Sequence, residues 1–168
     1  MDMTVVKNIN NFRVSLTFTL KWEGGYVNSP TDPGGETKWG ISKRAYPNLD
    51  IRNLSADQAS DIYASDYWLK AGCDNLPLPY CTVVFDSAVN DGVGAATGWL
   101  RQAANIRQYL NLRRMKYYGI VQTHPDMNKY LTGWLNRLND LTKFVDVQLN
   151  TPVVPEPNQD TPRWGSLG

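Results

Sequence analysis

Apolar residues recur at helical spacing along most of this chain, and the pattern is broken by a single short stretch dense in glycine and proline. That arrangement predicts a mainly α chain with one compact irregular lobe near residues 24–41. Phe12, Leu16 and Leu20 form the first stripe, with Asn10 or Asn11 as the expected N-cap. Gly24-Gly25 should end that helix, because glycine readily takes the left-handed conformation past a helix C-terminus. Pro30, Pro33, Gly34, Gly35 and Gly40 then mark a turn-rich segment, read as a small irregular hairpin, and Ser42 is expected to cap a short helix that stops before Pro47.

The remaining stripes are longer. Ser55-Ala56-Asp57-Gln58 reads as a capping box, in which the serine hydroxyl accepts from the Gln58 amide while the glutamine reaches back. Ala59, Ile62, Tyr63 and Tyr67 follow as an apolar face, and Cys81, Val84, Phe85 and Ala88 recur up to Asn90-Asp91-Gly92. Ala95, Trp99 and Ala103 mark another helix, and Ile106, Tyr109, Leu110, Tyr117 and Ile120 a further one. Met127, Leu131, Trp134, Leu138, Leu141 and Val145 make the cleanest stripe. Trp99 and Trp134 lie on these stripes and are read as core. Four of the ten prolines fall in 151–168, where no stripe persists, so 1–150 is read as one domain and 151–168 as an extended or disordered tail. With 168 residues the chain has room for one core.

Composition removes several chemistries. A formal net charge of +1 argues against a nucleic-acid binder. No apolar run approaches the ~18 residues of a membrane span, and the segment from Val14 to Leu20 lacks a cleavage site, so neither stable membrane insertion nor a signal peptide is expected. The one histidine, His124, has no nucleophile motif near it and reads as a surface residue at a helix entry. Cys73 and Cys81 have no histidine partners for zinc; they form a disulfide or stay as two small buried residues, the second being favoured. No glycine-rich phosphate loop occurs. No metal or cofactor is implied, and what remains is carboxylate chemistry or none.

The informative stretch runs from Trp22 to Ile41. Glu23 sits at the expected C-terminal end of a helix, Asp32 on a turn nine positions later, and Thr37 at the entry to an apparent strand. The partial negative charge of a helix C-terminus disfavours a carboxylate, and flanking Trp22 and Tyr26 would add desolvation. Both favour the protonated acid that a glycosidic oxygen requires as proton donor. Asp32 would then be the second carboxylate of a glycosidase pair, and Thr37 a hydroxyl that orients water. Spacing alone leaves the plain alternative open: Glu-Gly-Gly as a solvated last turn with its cap, and Asp-Pro-Gly-Gly as a turn. Glu36 competes weakly for a catalytic role, since Gly35-Glu36-Thr37 reads as an exposed loop.

The pattern Glu23-Gly24-Gly25-Tyr26, Asp32-Pro33-Gly34-Gly35, Thr37, Gly40-Ile41 resembles the N-terminal motif of glycoside hydrolase family 108, phage and prophage endolysins with N-acetylmuramidase activity. Val84 to Gly92 resembles that family's second recurring helix, and Tyr67-Trp68 falls between the two as an aromatic pair does in the family. The resemblance spans about residues 12–145. It implies a lysozyme-like helical fold, Glu23 as catalytic acid, and supporting roles for Asp32 and Thr37. Tyr26 and Asn90 are candidates to line a sugar cleft, and Trp39, beside the motif, to stack on a sugar face. Two departures stand out. Asp32 and Thr37 are one residue closer than in the Glu-Asp-Thr triad of phage-type lysozymes. The connection after Ala104 lacks the family's Asp-Gly and Gly-Pro pairs, so the C-terminal half associated with wall binding is shortened.

Residues 99–145 carry a net charge of +6 from eight basic side chains, including Arg113, Arg114, Lys116 and Arg137, which reads either as a lobe attracted to an anionic wall polymer or as a solvated helix face. The expectation from sequence is a monomeric peptidoglycan hydrolase acting on glycan strands, held in the host cytoplasm until a separate membrane lesion releases it. The rivals are a lytic transglycosylase or chitosanase on the same scaffold, and a non-catalytic wall-binding or virion module.

Overall fold

The computed structural model describes residues 6–28 and 35–151. Asp32 and the 152–168 part of the expected tail lie outside them. Six helices and one two-stranded hairpin occupy the described residues: α1 (Ile9–Glu23), β1 (Thr37–Lys38), β2 (Ile41–Ser42), α2 (Ala56–Tyr63), α3 (Tyr80–Asp91), α4 (Val93–Gln102), α5 (Ile106–Thr123) and α6 (Asn128–Asn150). The mainly α expectation and the small lobe both hold.

Helix α3 is the centre. Every residue from Cys81 to Ala88 is buried, so this helix has no solvent face in its middle, and α1 and α4 pack along it. Around it Phe12, Tyr63, Trp68 and Phe85 meet edge to face, with ring centroids 5.4 to 6.1 Å apart. Helix α2 begins with the expected capping box and runs into a π-helical turn, Ala64–Trp68, which the stripe spacing did not reveal. That turn brings Trp68 fully into the core, its indole N–H donating to Asp74 at 2.7 Å.

Three local expectations change. The N-cap of α1 is Asn8, whose side chain accepts from the Asn11 amide, because the helix starts earlier than the apolar stripe does. Ser42 caps no helix. It ends β2, its hydroxyl accepts from the Ala45 amide, and its carbonyl accepts from Tyr46, giving a single turn before Pro47. The cysteines are the favoured alternative, both buried and both free, with burial pushing each thiol upward. His124 is exposed between α5 and a short 3-10 turn, Pro125–Met127, as expected.

The hairpin is tight. Lys38 pairs with Ile41, so Trp39 and Gly40 form the two-residue turn, with φ of 55° and 75°. An isolated bridge between Val27 and Thr37 ties the segment leaving α1 to β1. This lobe therefore folds back against the C-terminal end of α1.

Candidate active site

Four elements converge on Glu23. It is the last residue of α1, terminated by Gly24 at φ 71°. From the hairpin, the Gly40 backbone closes on it: a Cβ placed there would lie 2.8 Å from Glu23 Oε2, 2.9 Å from Glu23 Cβ and 2.6 Å from Tyr63 Oη. From α2, the Tyr63 hydroxyl donates to the Trp39 carbonyl at 2.6 Å and holds the turn in place. Burial first, and then the charge of Glu23, push that phenol upward, so it remains a donor. From α6, Arg137 Nη1 donates to Glu23 Oε1 at 2.6 Å. The Glu23 side chain keeps 18% exposure, enough to open on solvent from one side.

The sequence reading expected Trp22 and Tyr26 to flank Glu23 and desolvate it. Both are bonded elsewhere. The Trp22 indole N–H donates to Asp140 Oδ2 at 3.1 Å, and the Tyr26 hydroxyl donates to Glu36 Oε1 at 2.7 Å. The group that faces Glu23 is a cation. One turn of α6 thus clasps two successive residues of α1, with Asp140 on Trp22 and Arg137 on Glu23.

Arg137 is the visible end of a buried ionic chain. Its Nε and Nη2 both donate to Asp86 Oδ1, at 3.1 and 2.8 Å, and Asp86 is wholly buried on α3. Thr19 Oγ1 donates to the same oxygen at 3.0 Å. Arg113, also wholly buried, donates from Nη1 to Asp86 Oδ2 at 2.7 Å and lies 2.8 Å from Asp91 through Nε. Lys116 closes the chain on Asp91 at 2.9 Å. Burial alone would raise the Asp86 carboxyl; Arg113 and Arg137 overcome it and hold the group below the usual carboxylate range. Burial would likewise lower both guanidinium groups, and Asp86 reverses that shift.

The other site residues named from sequence are placed as follows. Thr37 lies on β1, and its hydroxyl donates to the Gly35 carbonyl at 3.3 Å. Tyr26 is exposed. Trp39 is half-buried against the core, and among the described residues its buried indole N–H finds no partner. Asn90 is exposed at the end of α3, where its amide donates to Tyr117 Oη at 2.9 Å and to Asp91 at 3.3 Å. Glu36 accepts from Tyr26 and lies 3.6 Å from Arg52, so it belongs to the lobe's surface pairing and not to the Glu23 cluster. Trp134 is only half-buried, stacked at 5.3 Å on Tyr117 and at 6.0 Å on Tyr130.

The basic lobe needs correction. Two of its eight cations, Arg113 and Arg137, face the core because of the Asp86 network, and Lys116 is bound to Asp91. Spacing carried the signal that charge counting missed: Arg113 lies three residues after Leu110 and four before Tyr117, and Arg137 three after Trp134, each on its helix's apolar stripe.

Comparison with known proteins adds to this geometry. Residues 16–92 match the model of the family described as Glycosyl hydrolase 108. That segment belongs to the glycosyl hydrolase 108 family. The chain is a glycoside hydrolase, and the matched segment contains Glu23, Gly40, Tyr63 and Asp86, while Arg113 and Arg137 come from beyond it. The fold is similar to a solved structure described as Brucella abortus SagA, with a TM-score of 0.67 and 21% identity over 84% of this chain and 97% of that one. The architecture is a mainly α, lysozyme-like fold. None of the curated proteins compared matches the chain. Among the described residues no group of three or more His, Cys, Asp or Glu side chains is placed to hold a metal ion. No helix among them is long and apolar enough to cross a membrane.

Proposed function

We propose that this glycoside hydrolase is a peptidoglycan hydrolase of the N-acetylmuramidase type, cleaving the β-1,4 bond between N-acetylmuramic acid and N-acetylglucosamine. The observation that carries the reading is the convergence of α1, the hairpin turn and α6 on the one carboxyl of Glu23. Oε1 is anchored by Arg137, so Oε2, on the Gly40 side, is the oxygen that gives its proton to the glycosidic oxygen as the bond to the anomeric carbon breaks. Arg137 then faces the carboxylate that proton transfer creates, which stabilises charge where it develops. Asp32 and Thr37 keep the supporting role read from the sequence motif, placing the attacking water or stabilising the oxocarbenium-like transition state. Tyr26, Trp39 and Asn90 supply cleft contacts. In this reading the protein serves host lysis by a phage, accumulating in the cytoplasm until a separate membrane lesion admits it to the wall.

Mass spectrometry of products from purified peptidoglycan tests it. Reducing-end muramic acid is the expected result. Reducing-end glucosamine would make it a glucosaminidase, anhydro-muramic acid a transglycosylase, and the absence of products a binding module.

A further inference from the structure

We infer that Asp86 is a positioning residue for Glu23: acting through Arg137, it fixes which oxygen of the acid is held and sets the charge that stands beside it. The inference rests on the reading of Glu23 as general acid, and the following observations carry it.

Arg137 has one nitrogen on Glu23 and two on Asp86. The double contact to a wholly buried carboxylate sets the guanidinium plane, so Arg137 meets Glu23 Oε1 from one fixed direction. Glu23 is thereby held by one oxygen while the other is presented toward the hairpin turn.

The electrostatic consequence is as specific. Three cations of the network, Arg113, Lys116 and Arg137, face three carboxylates, Glu23, Asp86 and Asp91. With Glu23 ionised this set is neutral; with Glu23 protonated it carries one positive charge. Arg137 and Asp86 place opposite charges beside Glu23, so removing one or the other changes the field at that carboxyl in opposite directions. The groups facing Asp86 are Thr19 from α1, Arg113 from α5 and Arg137 from α6. Those facing Glu23 are Arg137 from α6 and Tyr63 from α2, whose hydroxyl is bonded to Trp39.

A general acid works while protonated, so activity falls as pH rises through its titration. Asp86→Asn removes a negative charge and leaves Arg137 unopposed. The alkaline limb of the pH–activity profile should therefore move to lower pH, by roughly one to two units for a unit charge several ångströms away at an effective dielectric near 20. Arg137→Gln removes the cation in direct contact with Glu23 and should move the limb the opposite way by at least as much. Arg137→Lys keeps the charge but loses the fork, so the rate should drop while the limb stays close to the parent's.

The experiment measures product release from peptidoglycan across pH for the parent and the three variants, each checked by circular dichroism. If Asp86→Asn does not fold, the contrast between Arg137→Gln and Arg137→Lys carries the test. Opposite displacements for Asp86→Asn and Arg137→Gln, or a displacement for Arg137→Gln that Arg137→Lys lacks, support the inference. Equal losses of rate with every limb at the parent's position would reduce the network to a structural role and overturn it. A parent that releases no product, or a Glu23→Gln variant as active as the parent, would instead remove the reading of Glu23 on which the inference rests.

Discussion

The backbone of Gly40 lies directly against the Glu23 side chain, closely enough that a single added methyl group would stand 2.8 Å from its Oε2. Two independent demands therefore select glycine at this position: φ of 75°, and the absence of a Cβ between the hairpin turn, Glu23 and Tyr63. The Gly40-Ile41 pair of the sequence motif is a steric condition on the acid, not a turn signal alone.

Gly40→Ala should accordingly cost both stability and activity. The left-handed backbone alone disfavours alanine by ~1–2 kcal/mol. Relief of the clash must move either the turn or the glutamate, and a displacement of about 1 Å at a reacting group lowers rate about 10²-fold. Thermal melting and product release from peptidoglycan check this. A variant as active as the parent would show that the turn does not position Glu23.

Glu23→Gln keeps the size of the side chain and can still accept from Arg137, but has no proton to transfer. A positioned general acid contributes about 10²–10⁴-fold, so wall lysis should fall by at least that order with the melting temperature held. Asp32→Asn should lose activity, and Thr37→Ala less, because solvent replaces a hydroxyl more easily than a carboxylate. Glu36→Gln should stay active, since Glu36 is engaged with Tyr26 and Arg52. A lytic Glu23→Gln beside a dead Glu36→Gln would reassign the acid.

Much of this was legible in the chain, for identifiable reasons. Long helices with regular stripes, such as α5 and α6, announce themselves by period. The Ser55–Gln58 capping box is written in four residues and forms as read. The C-terminal position of Glu23 on α1 followed from Gly24. The orientation of Trp22 and Tyr26 did not, because a neighbour in sequence at a helix end points where its own partner lies, here Asp140 and Glu36. The Asp86 network was hidden for a related reason. A buried charge looks like any other in a composition count, and only its place on an apolar stripe betrays it.

Wall association should depend on the cations that remain at the surface. Arg101, Lys129 and Lys143 are exposed, and Arg107 is exposed although paired with Asp146. Neutralising Arg101, Lys129 and Lys143 together should weaken pelleting with cell walls, most visibly at low salt where screening is least, and leave cleavage of a short soluble oligosaccharide within about twofold. Equal losses on the two substrates would overturn that division. Arg113→Gln belongs to another class. It takes one of two cations from each of Asp86 and Asp91, leaving Arg137 and Lys116 on them, and breaking a buried pair costs up to about 3–5 kcal/mol, so the expected result is a drop in melting temperature whatever the substrate.

Acid should unfold the protein through Asp86. Its carboxyl titrates below the usual range in the folded state, because Arg113 and Arg137 outweigh the cost of burial. A carboxyl with a depressed folded value adds stability that is complete above its unfolded value, about 3.9, and is lost as pH falls through the folded one. Asp74 adds to the same window: burial would raise it, but bonds from the Trp68 indole and the Lys7 and Asn8 amides hold it low. Melting temperature should therefore be nearly level from pH 7 to about pH 5 and fall steeply below about pH 4. Salt at neutral pH should not reproduce the fall, since Asp86 and Arg113 are shielded from counterions by complete burial. Asp86→Asn should be less stable at pH 7 and show a shallower slope below pH 4, because the group whose protonation drives the transition is gone. A slope equal to the parent's in that variant would place the acid sensitivity outside the network.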